Sequence, residues 1–197
     1  MNNPDQSSIA RTALRKQLLQ QRVDIPPTQR ADFDALICQH LLDGDLLGSA
    51  VNIGVYSPIR AEPDLSACYA VWRAQGRRLS LPVVDKTTGQ LHFRAWDADT
   101  PLQVADFGVA VPPADAGLLE PDVLLLPCVG FNVVQGRPYR LGYGGGFYDR
   151  TLAARPCRTI GVAYDYAMAS SWMPDSWDMP LSALVRPSGC MVAIASP

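Results

Sequence analysis

The stretch Asp122–Phe131, DVLLLPCVGF, is the most hydrophobic run in the chain. It is too short for an ordinary helix and is interrupted by proline and glycine, so it reads as a strand covered on both faces. Such a strand belongs in the middle of a sheet. On both sides of it the segments alternate in type. Upstream, IARTALRKQLLQQRV (9–23) and PPTQRADFDALICQHLL (26–42) carry apolar residues at helical spacing, the first with Ser7 or Ser8 as its cap. AVNIGVYSP (50–58) reads as a buried strand, DLSACYAVWRAQG (64–76) as a helix, RRLSLPVV (77–84) as a strand and GQLHFRAW (89–96) as a half-exposed strand. The segment 97–120, rich in Pro, Ala, Asp and Gly, is expected to be a long surface connection. Downstream come a short helix over about 146–154, the strand RTIGVAY (158–164), a loose segment (165–182) and a last strand, GCMVAIA (189–195). Alternating strands and helices predict an α/β fold: a single three-layer αβα domain over residues 1–197, with a mostly parallel sheet. In such sheets ligands bind beyond the carboxyl ends of the strands.

With 197 residues, 48% of them hydrophobic, the chain can bury one sizeable core. A formal net charge of −2 argues against general nucleic-acid binding. Of 17 basic residues only Lys16 and Lys86 are lysines; the arginines offer planar forks suited to phosphate and carboxylate. Five cysteines without a CxxC pair fit reduced thiols, hence a cytoplasmic protein. MNNPDQSSIARTALRKQ (1–17) has no apolar core of a secretory signal, and no apolar run reaches membrane-spanning length, so no membrane partner is expected. No long apolar helix face lacks an intramolecular partner, which makes a monomer the expected state.

Immediately downstream of the central strand lies Arg140–Arg150, RLGYGGGFYDR. Glycines let backbone amides approach an anion, and the helix that follows adds free N–H donors and a favourable dipole. Arg140 and Arg150 can add charge-assisted hydrogen bonds to phosphate. Asp149 is a hard oxygen donor of the kind that holds magnesium beside nucleotide phosphates. The run is neither a Walker A loop nor a dinucleotide fingerprint. Arg11, Arg15 and Arg22 share a narrow stripe of the first helix; they are either solvated cations bordering a packed face or a clamp on an anion held elsewhere.

Together, LPCVGFN…YRLGYGGGFYDRTL, RTALRKQLLQQR, IGVYSPIRAEPDL, GRRLSLPVV, LHFRAW, FGVAVP and WDMPL resemble the 5-formyltetrahydrofolate cyclo-ligase (5,10-methenyltetrahydrofolate synthetase) family over nearly the whole chain. The resemblance implies an ATP- and Mg-dependent ring closure. The formyl oxygen of 5-formyltetrahydrofolate takes the γ-phosphoryl group of ATP, a folate nitrogen attacks the activated carbon, and phosphate leaves. Catalytic roles would fall to Arg140, Tyr148 and Asp149. Arg11, Arg15, the loop Arg140, Leu141, Gly142, Tyr143, Gly144, Gly145, Gly146, Phe147 and Tyr148, and Arg150 would bind ATP. Ser57, Glu62, Phe147 and Tyr148 would bind the folate; Asp149 and Asp178 would bind Mg2+. The partners implied are small-molecule substrates only. The chain departs from the family pattern at Asn132, where aspartate is usual, and in a longer approach to the glycine loop, which leaves Arg137 and Arg140 competing for the motif arginine. A divergent, non-catalytic nucleotide- or folate-binding relative is the alternative reading.

Overall fold

The computed structural model of the protein describes residues 4–194; the first three residues of the 1–17 stretch and Ala195, at the end of the last expected strand, lie outside the described residues. In chain order the elements are α1 (Pro4–Val23), α2 (Pro27–Asp43), β1 (Asn52–Gly54), α3 (Ser66–Ala74), β2 (Arg78–Val84), β3 (Leu91–Ala95), β4 (Gln103–Val104), β5 (Ala110–Val111), β6 (Val123–Pro127), β7 (Gly130–Val134), β8 (Arg137–Leu141), α4 (Phe147–Ala154), β9 (Arg158–Val162), β10 (Ala183–Arg186) and β11 (Gly189–Val192). The main sheet has the order β11-β10-β9-β6-β1-β2-β3. Its five inner strands are parallel, and β3 and β11 close the two edges antiparallel.

The central strand is β6. All five of its residues are buried, and the pleat divides them between two cores. Val123 and Leu125 join Ile37 and Leu41 of α2 and Cys68 and Trp72 of α3 on one face. Leu124 and Leu126 join Leu152 of α4 on the other. The result is a three-layer αβα arrangement, as the alternation of strands and helices around this apolar run predicted. All five cysteines are free thiols, and no helix among the described residues is long and apolar enough to cross a membrane.

Four local expectations are corrected. The first helix is already under way at Pro4, so neither Ser7 nor Ser8 is its cap; the Ser8 carbonyl accepts the Thr12 hydroxyl within the helix. The stretch 122–131 is two strands rather than one. The chain leaves the sheet at Cys128–Val129, and β7 turns back through Gln135 and Gly136 to pair with β8. Both turn residues have left-handed backbone, φ 51° and 72°, as a two-residue hairpin turn of matching twist requires. The connection 97–120 carries a small ribbon, β4 with β5. Finally, ALVR (183–186) forms an inner parallel strand, β10, and the last strand is the antiparallel edge.

Chain direction places the site. From β1 the chain crosses through α3 to β2 on one side, and from β6 it crosses through α4 to β9 on the other. The sheet order therefore reverses between β1 and β6, and a crevice opens beyond their carboxyl ends. The β7–β8 hairpin and α1 border it. Leu18 of α1 packs with Val129, Leu141 and Trp172 in a third, smaller core.

Candidate active site

A cleft of about 1160 Å3 occupies that crevice, with Tyr56 and Ser57 from the end of β1 and Pro127 from the end of β6 in its lining. One wall is the loop from Gly142 to Gly146, between β8 and α4. Arginines fix it from both sides. Arg15 Nε donates to the Gly142 carbonyl at 2.8 Å; Arg150 Nη2 donates to Gly145 at 2.7 Å and its Nε to Gly89 at 2.9 Å. Gly144, at φ 103°, adopts a backbone that other residues avoid, and a Cβ there would stand 3.4 Å from the Arg15 guanidinium carbon. At Gly146 the chain enters α4 without a side-chain cap. The first-turn amides of Phe147, Tyr148 and Asp149 thus have no intrahelical acceptor and open a donor-rich, positive-dipole end toward the cleft.

Arg140 rises from β8 beside this helix end. Its Nη1 donates to the Pro127 carbonyl at 3.2 Å, its Nη2 lies 3.9 Å from Asp149 Oδ2, and its guanidinium sits 4.8 Å from the Tyr148 ring centre. Arg137 pairs with Val134 at the hairpin tip and is not part of the cleft lining, so Arg140 is the one that faces the loop. Burial raises the Tyr148 phenol well above its ordinary value and keeps it a donor at neutral pH. Burial first, then the neighbouring Arg11, pulls Arg15 below its ordinary value; it stays charged and marks a concentration of positive potential.

The two aspartates expected at a metal differ in their surroundings. Asp149, a quarter exposed, is held only loosely, by the Met179 amide at 3.4 Å from Oδ1 and by Arg140 at 3.9 Å from Oδ2. Asp178 Oδ2 is held by Arg11 Nη2 at 2.8 Å and by the Asp175 amide at 2.7 Å, and Arg11 also pairs with Asp175 at 2.7 Å. Among the described residues no group of three or more acidic, His or Cys side chains forms a metal cage. Magnesium commonly takes one or two carboxylates and completes its shell with phosphate oxygens and water, and Asp149 fits that role directly. Asp178 is the poorer donor while Arg11 holds it.

Across the cleft lies Glu62, only 4% exposed. Its Oε2 accepts the Ile59 amide at 3.0 Å and its Oε1 the Tyr143 hydroxyl at 2.8 Å. Burial nonetheless raises its carboxyl above the usual range. Every residue expected at the site lines this one cleft: Arg11 and Arg15 from α1, Ser57 and Glu62 after β1, Arg140 through Arg150, and Asp178. Arg22, third on the same stripe, does not line it and is buried at 1% exposure beneath it. Sequence reasoning missed Arg60, Lys86 and Val109 in the lining: Arg60 and Val109 lie in the stretches IGVYSPIRAEPDL and FGVAVP but were given no role, and Lys86 follows β2 in a stretch that carries no motif. Asn132, the departure from aspartate, is buried and donates its side-chain amide to the Trp172 carbonyl, a bond a carboxylate could not donate.

A profile of the 5-formyltetrahydrofolate cyclo-ligase family matches residues 7–187, motif and flanking elements together. The chain belongs to the 5-formyltetrahydrofolate cyclo-ligase family. It is 29% identical to the 5-formyltetrahydrofolate cyclo-ligase of Haemophilus influenzae over 179 residues, covering 87% of this chain and 94% of that one. The 5-formyltetrahydrofolate cyclo-ligase of Escherichia coli K12 is also 29% identical, over 178 residues, 86% of this chain and 96% of the other. The solved 5,10-methenyltetrahydrofolate synthetase of Mycoplasma pneumoniae superposes with a TM-score of 0.72 at 27% identity, over 90% of this chain and 98% of that one. The structure of the Aquifex aeolicus 5,10-methenyltetrahydrofolate synthetase shares the fold, with a TM-score of 0.80 at 24% identity over 95% and 94% of the two chains. The matched region thus holds α1 from Ser7 onward, the glycine loop and every strand of the main sheet except the edge strand β11.

Proposed function

We propose that residues 1–197 act as one ATP- and folate-binding unit that cyclises 5-formyltetrahydrofolate to 5,10-methenyltetrahydrofolate, with Mg2+ and ATP, giving ADP and phosphate. The observation that carries this reading is the convergence of α1, the turn after β1, the glycine loop and the Asp178 segment on one cleft at the reversal of the sheet. The glycine loop and the open end of α4 supply amides for the ATP phosphates, and Arg140 and Arg15 supply charge. Glu62 and Ser57, with Phe147 and Tyr148, form the folate side. When bound, Mg2+ screens phosphate charge, and Asp149 is the residue that holds it.

The chemistry asks little of the protein in proton transfer, because the second nucleophile belongs to the substrate. The chain has to align the formyl oxygen with the γ-phosphorus and to neutralise charge as the phosphoryl group transfers. Arg140 is placed to neutralise that charge, since its Pro127 hydrogen bond and its stacking on Tyr148 hold it in one orientation before substrate arrives. Tyr148, protonated at neutral pH, can donate to a developing oxyanion but is a poor base. The partners are small molecules, and the protein is proposed to be a cytoplasmic monomer.

The test is near-ultraviolet absorbance, following methenyltetrahydrofolate formation from 5-formyltetrahydrofolate. A rise that requires both ATP and magnesium supports the proposal. A flat trace from a folded protein that binds ATP overturns it and favours a non-catalytic relative.

A further inference from the structure

Arg22 continues the stripe of Arg11 and Arg15 but points under the cleft and has almost no contact with solvent. Its Nη1 donates to the Tyr143 hydroxyl at 3.2 Å and lies 3.9 Å from Glu62 Oε1; its Nη2 donates to the Cys128 carbonyl at the end of β6. The Tyr143 hydroxyl in turn donates to Glu62. Tyr143 belongs to the glycine loop, next to the Gly142 carbonyl held by Arg15, and the Arg60 guanidinium sits 5.6 Å from its ring centre. Arg60 and Ala61, just before Glu62, are held at φ 47° and 59°, a left-handed backbone that non-glycine residues seldom adopt. The same turn is pinned by the Glu62 amide donating to Ile59 and the Glu62 carboxylate accepting from it.

We propose that Arg22 and Tyr143 are positioning residues that couple the nucleotide and folate sides of the cleft, so that each ligand tightens the other. The inference rests on the reading that the glycine loop takes ATP and Glu62 takes folate. The loop cannot shift without stretching the bond from Tyr143 to Glu62, and a buried carboxylate that loses its donor is costly. Loop position and Glu62 position are therefore linked. A ligand that fixes one fixes the other, and the linkage must be reciprocal. If the two residues only filled space, their variants would lower stability and leave the mutual effect of the ligands intact.

The experiment is calorimetric titration of the full chain with 5-formyltetrahydrofolate, with and without a saturating non-hydrolysable magnesium–ATP analogue. The wild type should bind folate roughly tenfold more tightly with the analogue present. In Tyr143→Phe, which removes one hydroxyl, the factor should fall close to one. Arg22→Lys keeps the charge but loses the forked donor pair, and should reduce the factor in the same direction; it replaces the first variant if a melting curve shows Tyr143→Phe unfolded. A factor unchanged in these variants, or a wild type whose two ligands bind independently, overturns the coupling alone. A wild type that binds no folate overturns the proposed function as well.

Discussion

Asp149 occupies the first turn of α4, where the helix dipole favours a carboxylate and where its oxygens face the cleft. Asp149→Asn keeps the shape and removes the charge. Turnover at saturating magnesium should drop by about 100-fold or more, with a melting curve close to that of the wild type; near-normal turnover would exclude Asp149 as the magnesium residue. Arg140 and Arg137 stand three residues apart on β8, yet only Arg140 lines the cleft. Arg140→Ala should therefore raise the KM for ATP more than Arg137→Ala, and steady-state kinetics that rank them the other way would reassign the motif arginine. Glu62 has a titration consequence. Its folded-state carboxyl is raised by burial, so its contribution to stability is complete below the ordinary carboxylate range and is lost as pH rises through the raised value. Denaturant unfolding should show Glu62→Gln gaining on the wild type as pH rises across that window, and a constant difference would contradict the assignment.

At the scale of elements, the β7–β8 hairpin turns the strand after β6 away from the sheet and delivers Arg140 to the glycine loop. Its turn depends on Gly136, whose backbone is left-handed and whose added Cβ would stand 2.5 Å from Ile194 Cδ1. Gly136→Ala should cost about 1–2 kcal/mol, measured as a lowered urea midpoint at unchanged slope; no loss would show that the turn relaxes freely. The alternation of strands and helices was legible because β6 is so apolar that it could lie only in a two-sided sheet. The hairpin was not, although the signal was present: Gln135–Gly136 sits between β-branched and aromatic residues. Treating the run from Asp122 to Phe131 as one strand hid it, since hydropathy does not register where a strand leaves its sheet. The inner strand β10 was missed for a similar reason, being a four-residue segment at the end of a loose one.

Over the whole molecule, the cleft gathers its walls from residues far apart in sequence, and ligands that bind it should stabilise the fold as a unit. Saturating magnesium–ATP, at about a hundred times its dissociation constant, should add about 2.7 kcal/mol and raise the melting temperature by about 5–10 °C; no shift would mean that the cleft does not bind the nucleotide. The sequence by itself determined the layer architecture, through the pattern of apolar residues, and the family, through a glycine, arginine and aspartate motif whose members are adjacent in the chain. Only the tertiary structure decided what each arginine of the stripe meets within the protein, and it gave each a different partner. Arg11 ties the Asp178 segment to α1, Arg15 holds the loop, and Arg22 is buried against Tyr143 and Glu62. Helical periodicity places three side chains on one face, but what each meets there is set by the segments that fold against that face, and those come from residues spread between Glu62 and Asp178.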